Sequence, residues 1–95
     1  MHSQKLHILN IPELDKIIIE IKDYINYKIT YFNEKKDLIK KIGEDKKFLE
    51  NSIILVNQKD FPALKSKTGE KQIYCIVKFP IKISNLIDQL NARLI

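Results

Sequence analysis

Two histidines, one cysteine and two glycines are the whole stock from which this chain could assemble a compact reaction centre. A nucleophile needs a base within hydrogen-bond reach, and a metal site needs His, Cys or carboxylate ligands at short spacing. His7 has no second His, Cys or carboxylate at metal spacing, so it reads as a plain strand histidine; His2 belongs to the chain start. Cys75 sits in the apolar stretch 73–77 and reads as a small buried apolar residue. A lone cysteine closes no internal disulfide, which fits a reducing compartment. Gly43 and Gly69 cannot form a glycine-rich phosphate cradle, and neither a Cys-x-x-Cys pair nor a nucleophile elbow is present. The expectation is a protein that is not an enzyme and carries no metal or other cofactor.

Charge offers a second kind of chemistry. The formal net charge is +5, carried by sixteen lysines and one arginine. Arginine is the favoured partner for bidentate phosphate and guanine contacts, so a lysine surface argues less strongly for nucleic acid. The charge is uneven: residues 1–50 hold ten basic and nine acidic groups, and residues 51–95 hold seven and three. An electrostatic partner would meet the second half. A small basic nucleic-acid-binding protein is the alternative reading, with Tyr74 and Phe79 near Lys78 available to stack on bases. Helix-turn-helix, zinc and aromatic–basic RNA spacings are absent.

The elements that must position these residues follow from hydrophobic period. Ninety-five residues with 44% apolar content make one domain, residues 1–95, with a single core supplied mainly by eighteen isoleucines. No run approaches the ~20 apolar residues that cross a bilayer, and no apolar run after Met1 suggests a signal peptide. A cytoplasmic protein without a membrane partner is the expectation. Residues 5–11 predict a first strand. Leu14, Ile17, Ile18, Ile21 and Ile25 share one helical arc over 12–26, opened by Pro12 and by Glu13 and Asp15 at the positive end of the dipole. Ile19 falls outside the arc. Residues 28–33 predict a second strand, with Asn33 as the cap of a second helix marked by Leu38, Ile39 and Ile42 and broken near Gly43.

Residues 52–57 form the clearest strand: Ile53, Ile54, Leu55 and Val56 are continuously apolar, as a central strand buried on both faces requires. Residues 58–72 are polar and broken by Pro62 and Gly69; they hold a helical turn near Ala63–Leu64 or a hairpin around Thr68–Gly69. A last strand from Ile73, stopped by Pro80, leads to a helix capped by Ser84 with Leu86, Ile87, Leu90 and Leu94 in one stripe. Strands alternating with helices predict an α/β fold with a mainly parallel four-stranded sheet. A ferredoxin-like fold, antiparallel with the first strand beside the last, is the competing arrangement.

The closing unit resembles the end of a response-regulator receiver domain. Pro80 and Leu86 have the receiver spacing, LIDQLNARLI has its leucine pattern, and strands ending at Asn10 and Asn57 fit the same template. The resemblance implies a flavodoxin/receiver-like sheet of order 2-1-3-4, flanked by helices and lacking one strand–helix unit, because 57 to 79 is too short for two further crossovers. It also implies where the chemistry would be: a carboxylate pair after strand 1 for Mg²⁺, an aspartate ending strand 3 as phosphoacceptor, and a lysine before the proline. This chain has Asn10-Ile11 and then Pro12-Glu13, Asn57, and Phe79 in those places. An amide is too weak a nucleophile to accept a phosphoryl group. Lys78 is one residue early and would face the other side of the strand, and Asp60 reads as a turn residue.

The implied protein is a truncated pseudo-receiver, independent of phosphorylation and of Mg²⁺. It would act through protein contacts or self-association in signal transduction and transcription regulation. Its contact face would be the last strand and last helix: Tyr74, Lys78, Lys82, Asn85, Gln89 and Arg93.

Overall fold

The computed structural model describes residues 4–45, 47–69, 72–76 and 82–92. Strands are β1 (Gln4–Leu9), β2 (Tyr27–Phe32), β3 (Ser52–Asn57) and β4 (Ile73–Ile76). Helices are α1 (Asp15–Ile21), α2 (Lys35–Glu44), α3 (Phe61–Lys65) and α4 (Ile83–Asn91), and 3₁₀ turns Pro12–Leu14 and Lys22–Tyr24 flank α1. The sheet order is β2-β1-β3-β4, and every neighbouring pair is parallel. This is the expected flavodoxin/receiver-like order lacking one strand–helix unit. It overturns the ferredoxin-like alternative, because β1 lies between β2 and β3.

Parallel neighbours need a crossover, and each crossover lays a helix on a face of the sheet. One face carries Leu6, Ile8, Ile53, Leu55 and Ile76 against Ile18 and Ile21 of α1 and Leu86 and Leu90 of α4. The other carries Leu9, Ile54, Val56 and Ile73 against Leu38 of α2 and Leu64 of α3. The alternation is the period of two that a strand imposes. Ile53 to Val56 are all 2% exposed or less, so β3 is covered on both sides as its unbroken apolar run predicts. Tyr27 at the start of β2 donates its hydroxyl hydrogen to the Leu90 carbonyl near the end of α4, tying the outer strand to the last helix.

Several boundaries differ from the expectation for local reasons. β1 ends at Leu9, because Asn10 takes a left-handed φ of 45° and turns the chain out of the sheet. The N-cap of α2 is Glu34, not Asn33, and that of α4 is Lys82, not Ser84; neither forms a side-chain cap bond. Ser84 lies inside the first turn of α4. Helix α2 runs to Glu44, and Asp45 is extended, with its carboxylate accepting from the Lys47 N–H at 2.9 Å. The helix around Ala63–Leu64 exists, and no hairpin forms at Thr68–Gly69. Ile19 is 62% exposed, as its place outside the arc requires. Pro80 and the turn it would stop lie outside the described residues.

Cys75 departs from the fully buried reading. It is half-buried, because β4 is an edge strand and only the five-residue α3 covers that side of it. Burial nonetheless pushes its thiol above the ordinary cysteine value, so it is a thiol and not a thiolate near neutrality.

His7 is only 3% exposed and is sandwiched by aromatic rings. It stacks on Phe48 at 4.4 Å between centroids and meets Phe32 edge-on at 5.9 Å. Neither ring nitrogen has a hydrogen-bond partner among the described residues. Burial, aided by the nearby Lys5 charge, pushes its pKa down to about 4. A strand histidine without a ligand role is what the sequence predicts, and the burial agrees.

Two consequences are measurable. Unfolded His7 binds a proton below about pH 6.5, whereas folded His7 resists protonation until about pH 4. Its contribution is therefore complete above pH 6.5 and lost as pH falls through the window to 4, by roughly 3 kcal/mol at most. Urea unfolding across that window should show the loss, and His7→Phe should flatten it while retaining the ring stack. Equal pH slopes in the two proteins would place the acid sensitivity elsewhere.

Candidate functional site

In a doubly wound sheet, ligands bind where the strand order reverses, at the C-terminal ends of the strands. Here that point is the end of β1 and β3. The β1–β3 pairing runs to Ile8 and Leu55; Asn10 follows the end of β1, and Asn57 ends β3. Asn57 is not among the described residues that line the cavity beside Asn10. Asn57 is half-buried, and its side-chain oxygen accepts the Asp60 N–H at 2.8 Å, which closes the turn into α3. Asp60 thus is a turn residue and the N-cap of α3, as expected. Asn10 is exposed, and its own N–H donates to the Phe32 carbonyl at 2.8 Å.

Asn10 lines a small cavity of about 110 Å³ on the β2 side, with Asp15, Tyr31 and Asn33 as its polar groups. Burial and then the Asp15 carboxylate push the Tyr31 hydroxyl above its ordinary value. Asp15 is the carboxylate that shares this cavity with Asn10. The sequence assigned it only to the helix dipole, and no motif distinguishes it from Glu13, which lies outside the cavity. Among the described residues no group of three His, Cys, Asp or Glu side chains could hold a metal ion. Phe79 lies outside the described residues.

The expected contact face is brought together in part. Lys82, Asn85 and Gln89 are exposed and fall at helical spacing at the start and along the outside of α4, while Leu86 and Leu90 are fully buried beneath them. Ile83 is also exposed, at 39%, and adds an apolar point to that end. Tyr74 is half-buried and packs on the cluster beneath α1 and α4, so it supports the face more than it presents it. Lys78 and Arg93 lie outside the described residues.

The larger concavity was not foreseen. A cavity of about 350 Å³ lies between α3 and β4, with Phe61, Ile73 and Cys75 as its apolar lining and Lys65, Thr68 and Gly69 at its α3 end. Gln72 holds that end in place. Its amide oxygen accepts the Gly69 N–H at 2.7 Å, and its amide nitrogen donates to the Leu49 carbonyl at 3.1 Å. The missed signal is the run Asp60-Phe61-Pro62: a cap residue followed by proline in a first helical turn. With α3 recognised, Phe61 and Leu64 fall on one side of a short helix, with Leu64 buried and Phe61 half-exposed beside it.

The Asn57 turn is testable. Asn57→Ala removes the acceptor for the Asp60 N–H and should lower the unfolding free energy by about 1 kcal/mol, whereas Asn57→Asp should keep it. Urea midpoints for the three proteins read this directly; an alanine variant as stable as the parent would deny the turn its role.

Among the described residues no helix is long and apolar enough to cross a membrane. Comparison of the chain with models of known protein families, with curated proteins and with solved structures finds no match.

Proposed function

We propose that this chain is a non-catalytic, receiver-like interaction module that works independently of phosphorylation, through protein contacts made by its last strand and last helix. The role in view is signal transduction in transcription regulation. The observation that carries the reading is Asn57. The position that would accept a phosphoryl group in this topology holds an amide, and that amide is already engaged in the turn to Asp60. Asn10, the residue that follows β1, is an amide as well. With chemistry unsupported at the strand ends, the functional surface is sought on α4, where Lys82, Asn85 and Gln89 stand outward over the buried Leu86 and Leu90. The parallel four-stranded frame fixes that helix against the sheet, so the face is presented rigidly.

Two measurements check this. Incubation with acetyl phosphate and Mg²⁺ should leave the intact mass unchanged, and a phosphoryl adduct on any strand-end residue would refute the non-catalytic part. Crosslinking of the purified chain, alone and in extract, should give a specific product. Asn85→Arg together with Lys82→Glu should reduce it at least about tenfold, a loss of ~1.4 kcal/mol in contact free energy. A product indifferent to both substitutions would remove α4 from the contact.

A further inference from the structure

The cavity between α3 and β4 is much larger than the one beside Asn10, about 350 Å³ against about 110 Å³. Its volume falls at the low end of the roughly 300–1,000 Å³ that small-molecule sites occupy. It lies on the layer under α2 and α3, with Ile73 and Cys75 of β4 and Phe61 of α3 as its apolar wall. Helix α4 packs on the opposite layer through Leu86 and Leu90. The cavity is therefore separate from the face that α4 presents.

The polar groups at its α3 end select the ligand. Among the described lining residues Lys65 alone is charged. Its ammonium stands 5.6 Å from the centroid of the Phe61 ring, which is itself part of the wall, so cation and apolar surface are adjacent. The Thr68 hydroxyl donates to the Leu64 carbonyl at 3.2 Å, and the Gly69 N–H donates to the Gln72 amide oxygen at 2.7 Å. Both of those donors are engaged within the fold, and the lysine ammonium is the one a ligand can reach. The Cys75 thiol is uncharged near neutrality and sets no negative group against an anion. The surrounding sequence has the same sign, since residues 58–76 hold four lysines and two carboxylates. A phosphoryl group fits poorly here, because it calls for several converging donors, such as an arginine fork or a nest of backbone N–H groups. A single carboxylate on an apolar body fits well. Its head gains a charge-assisted hydrogen bond, and its body leaves water against the apolar wall.

We propose that the cavity between α3 and β4 binds a small monocarboxylate with an aromatic or branched apolar body, its carboxylate on Lys65 and its body against Phe61, Ile73 and Cys75. The site goes beyond the interaction-module reading and does not depend on it, because the cavity and α4 lie on opposite layers of the sheet.

The probe is hydrocinnamate, a phenyl ring on a short carboxylate chain, added to the isotope-labelled full chain and followed by NMR. Signals of Phe61, Lys65, Ile73 and Cys75 should move and saturate, while those of Asn85 and Gln89 on α4 stay in place. Cys75 is the only cysteine in the chain and lines the cavity, so its alkylation is a second readout and should slow several-fold under saturating probe. Lys65→Met keeps the apolar stem and removes the charge; it should raise the Kd at least about tenfold, the size of one hydrogen bond to a charged group. Hydrocinnamide, with the same body and no charge, should bind as weakly. Acetate, with the charge and almost no body, should leave the cavity signals unmoved. Cavity signals indifferent to millimolar hydrocinnamate overturn the proposal. So does equal binding by the amide or by the Lys65→Met protein, or inorganic phosphate moving the same signals more strongly. A short peptide ending in phenylalanine that binds far more tightly than the free acid would put the chain end of a partner protein in the site and overturn the small-molecule assignment.

Discussion

The burial of β3 on both faces is the constraint on which the rest of the structure depends. Four consecutive apolar residues, Ile53 to Val56, can leave water only if helices cover both sides of the strand that carries them. A parallel sheet supplies this, since each return to the same end of the sheet carries a crossover over one face. Ile53 and Leu55 then define the layer under α1 and α4, and Ile54 and Val56 define the layer under α2 and α3. A one-residue slip would exchange the two layers wholesale, so the register with β1 is held by packing as well as by the ladder. The side chains of β1 obey the same division: Leu6 and Ile8 join the first layer, and His7 and Leu9 lie on the side of the second.

The same constraint weakens toward the edges. β3 has a neighbour on each side and a helix on each face, whereas β4 has one neighbour among the described residues and a five-residue helix over one face. Its burial falls accordingly, with Ile73 and Ile76 buried and Tyr74 and Cys75 half-exposed. The recess beside Phe61 is a geometric consequence of the short α3, and Gln72 keeps its rim in place by bonding both Gly69 and Leu49.

What the sequence reveals follows how strongly each segment obeys a period. The run 52–57 is apolar and regular, and its strand appears as expected; the arc from Leu14 to Ile25 predicts one helix over 12–26, of which only Asp15–Ile21 is α-helical, with 3₁₀ turns on either side and Ile25 extended. The alternation of strands and helices makes a mainly parallel sheet legible and right-handed crossovers narrow its topologies, but the order 2-1-3-4 comes from the resemblance of the closing unit to a receiver domain. Capping was not legible. Asn33 and Ser84 have good cap chemistry, but the α2 and α4 starts were set one or two residues away by packing of Leu38 and Leu86. The segment 58–72 offers a helical turn near Ala63–Leu64 or a hairpin without deciding between them, because the five-residue helix spans little more than one turn, too short for any period to register. Cavities were illegible for a deeper reason. Phe61 and Cys75 are fourteen residues apart with no shared pattern, and only the sheet edge brings them together.

The two asparagines at the strand ends connect fold to function. A carboxylate at position 57 could still accept the Asp60 N–H, so the turn by itself does not require an amide. What the amide changes is charge: it removes a negative group beside the half-buried Asp60, and with it the repulsion that a bound cation would otherwise relieve. Asn10 does the same at the end of β1 while adopting a left-handed φ that asparagine tolerates better than most residues. With amides at both places, neither Asn10 nor Asn57 adds a negative charge at the C-terminal ends of β1 and β3.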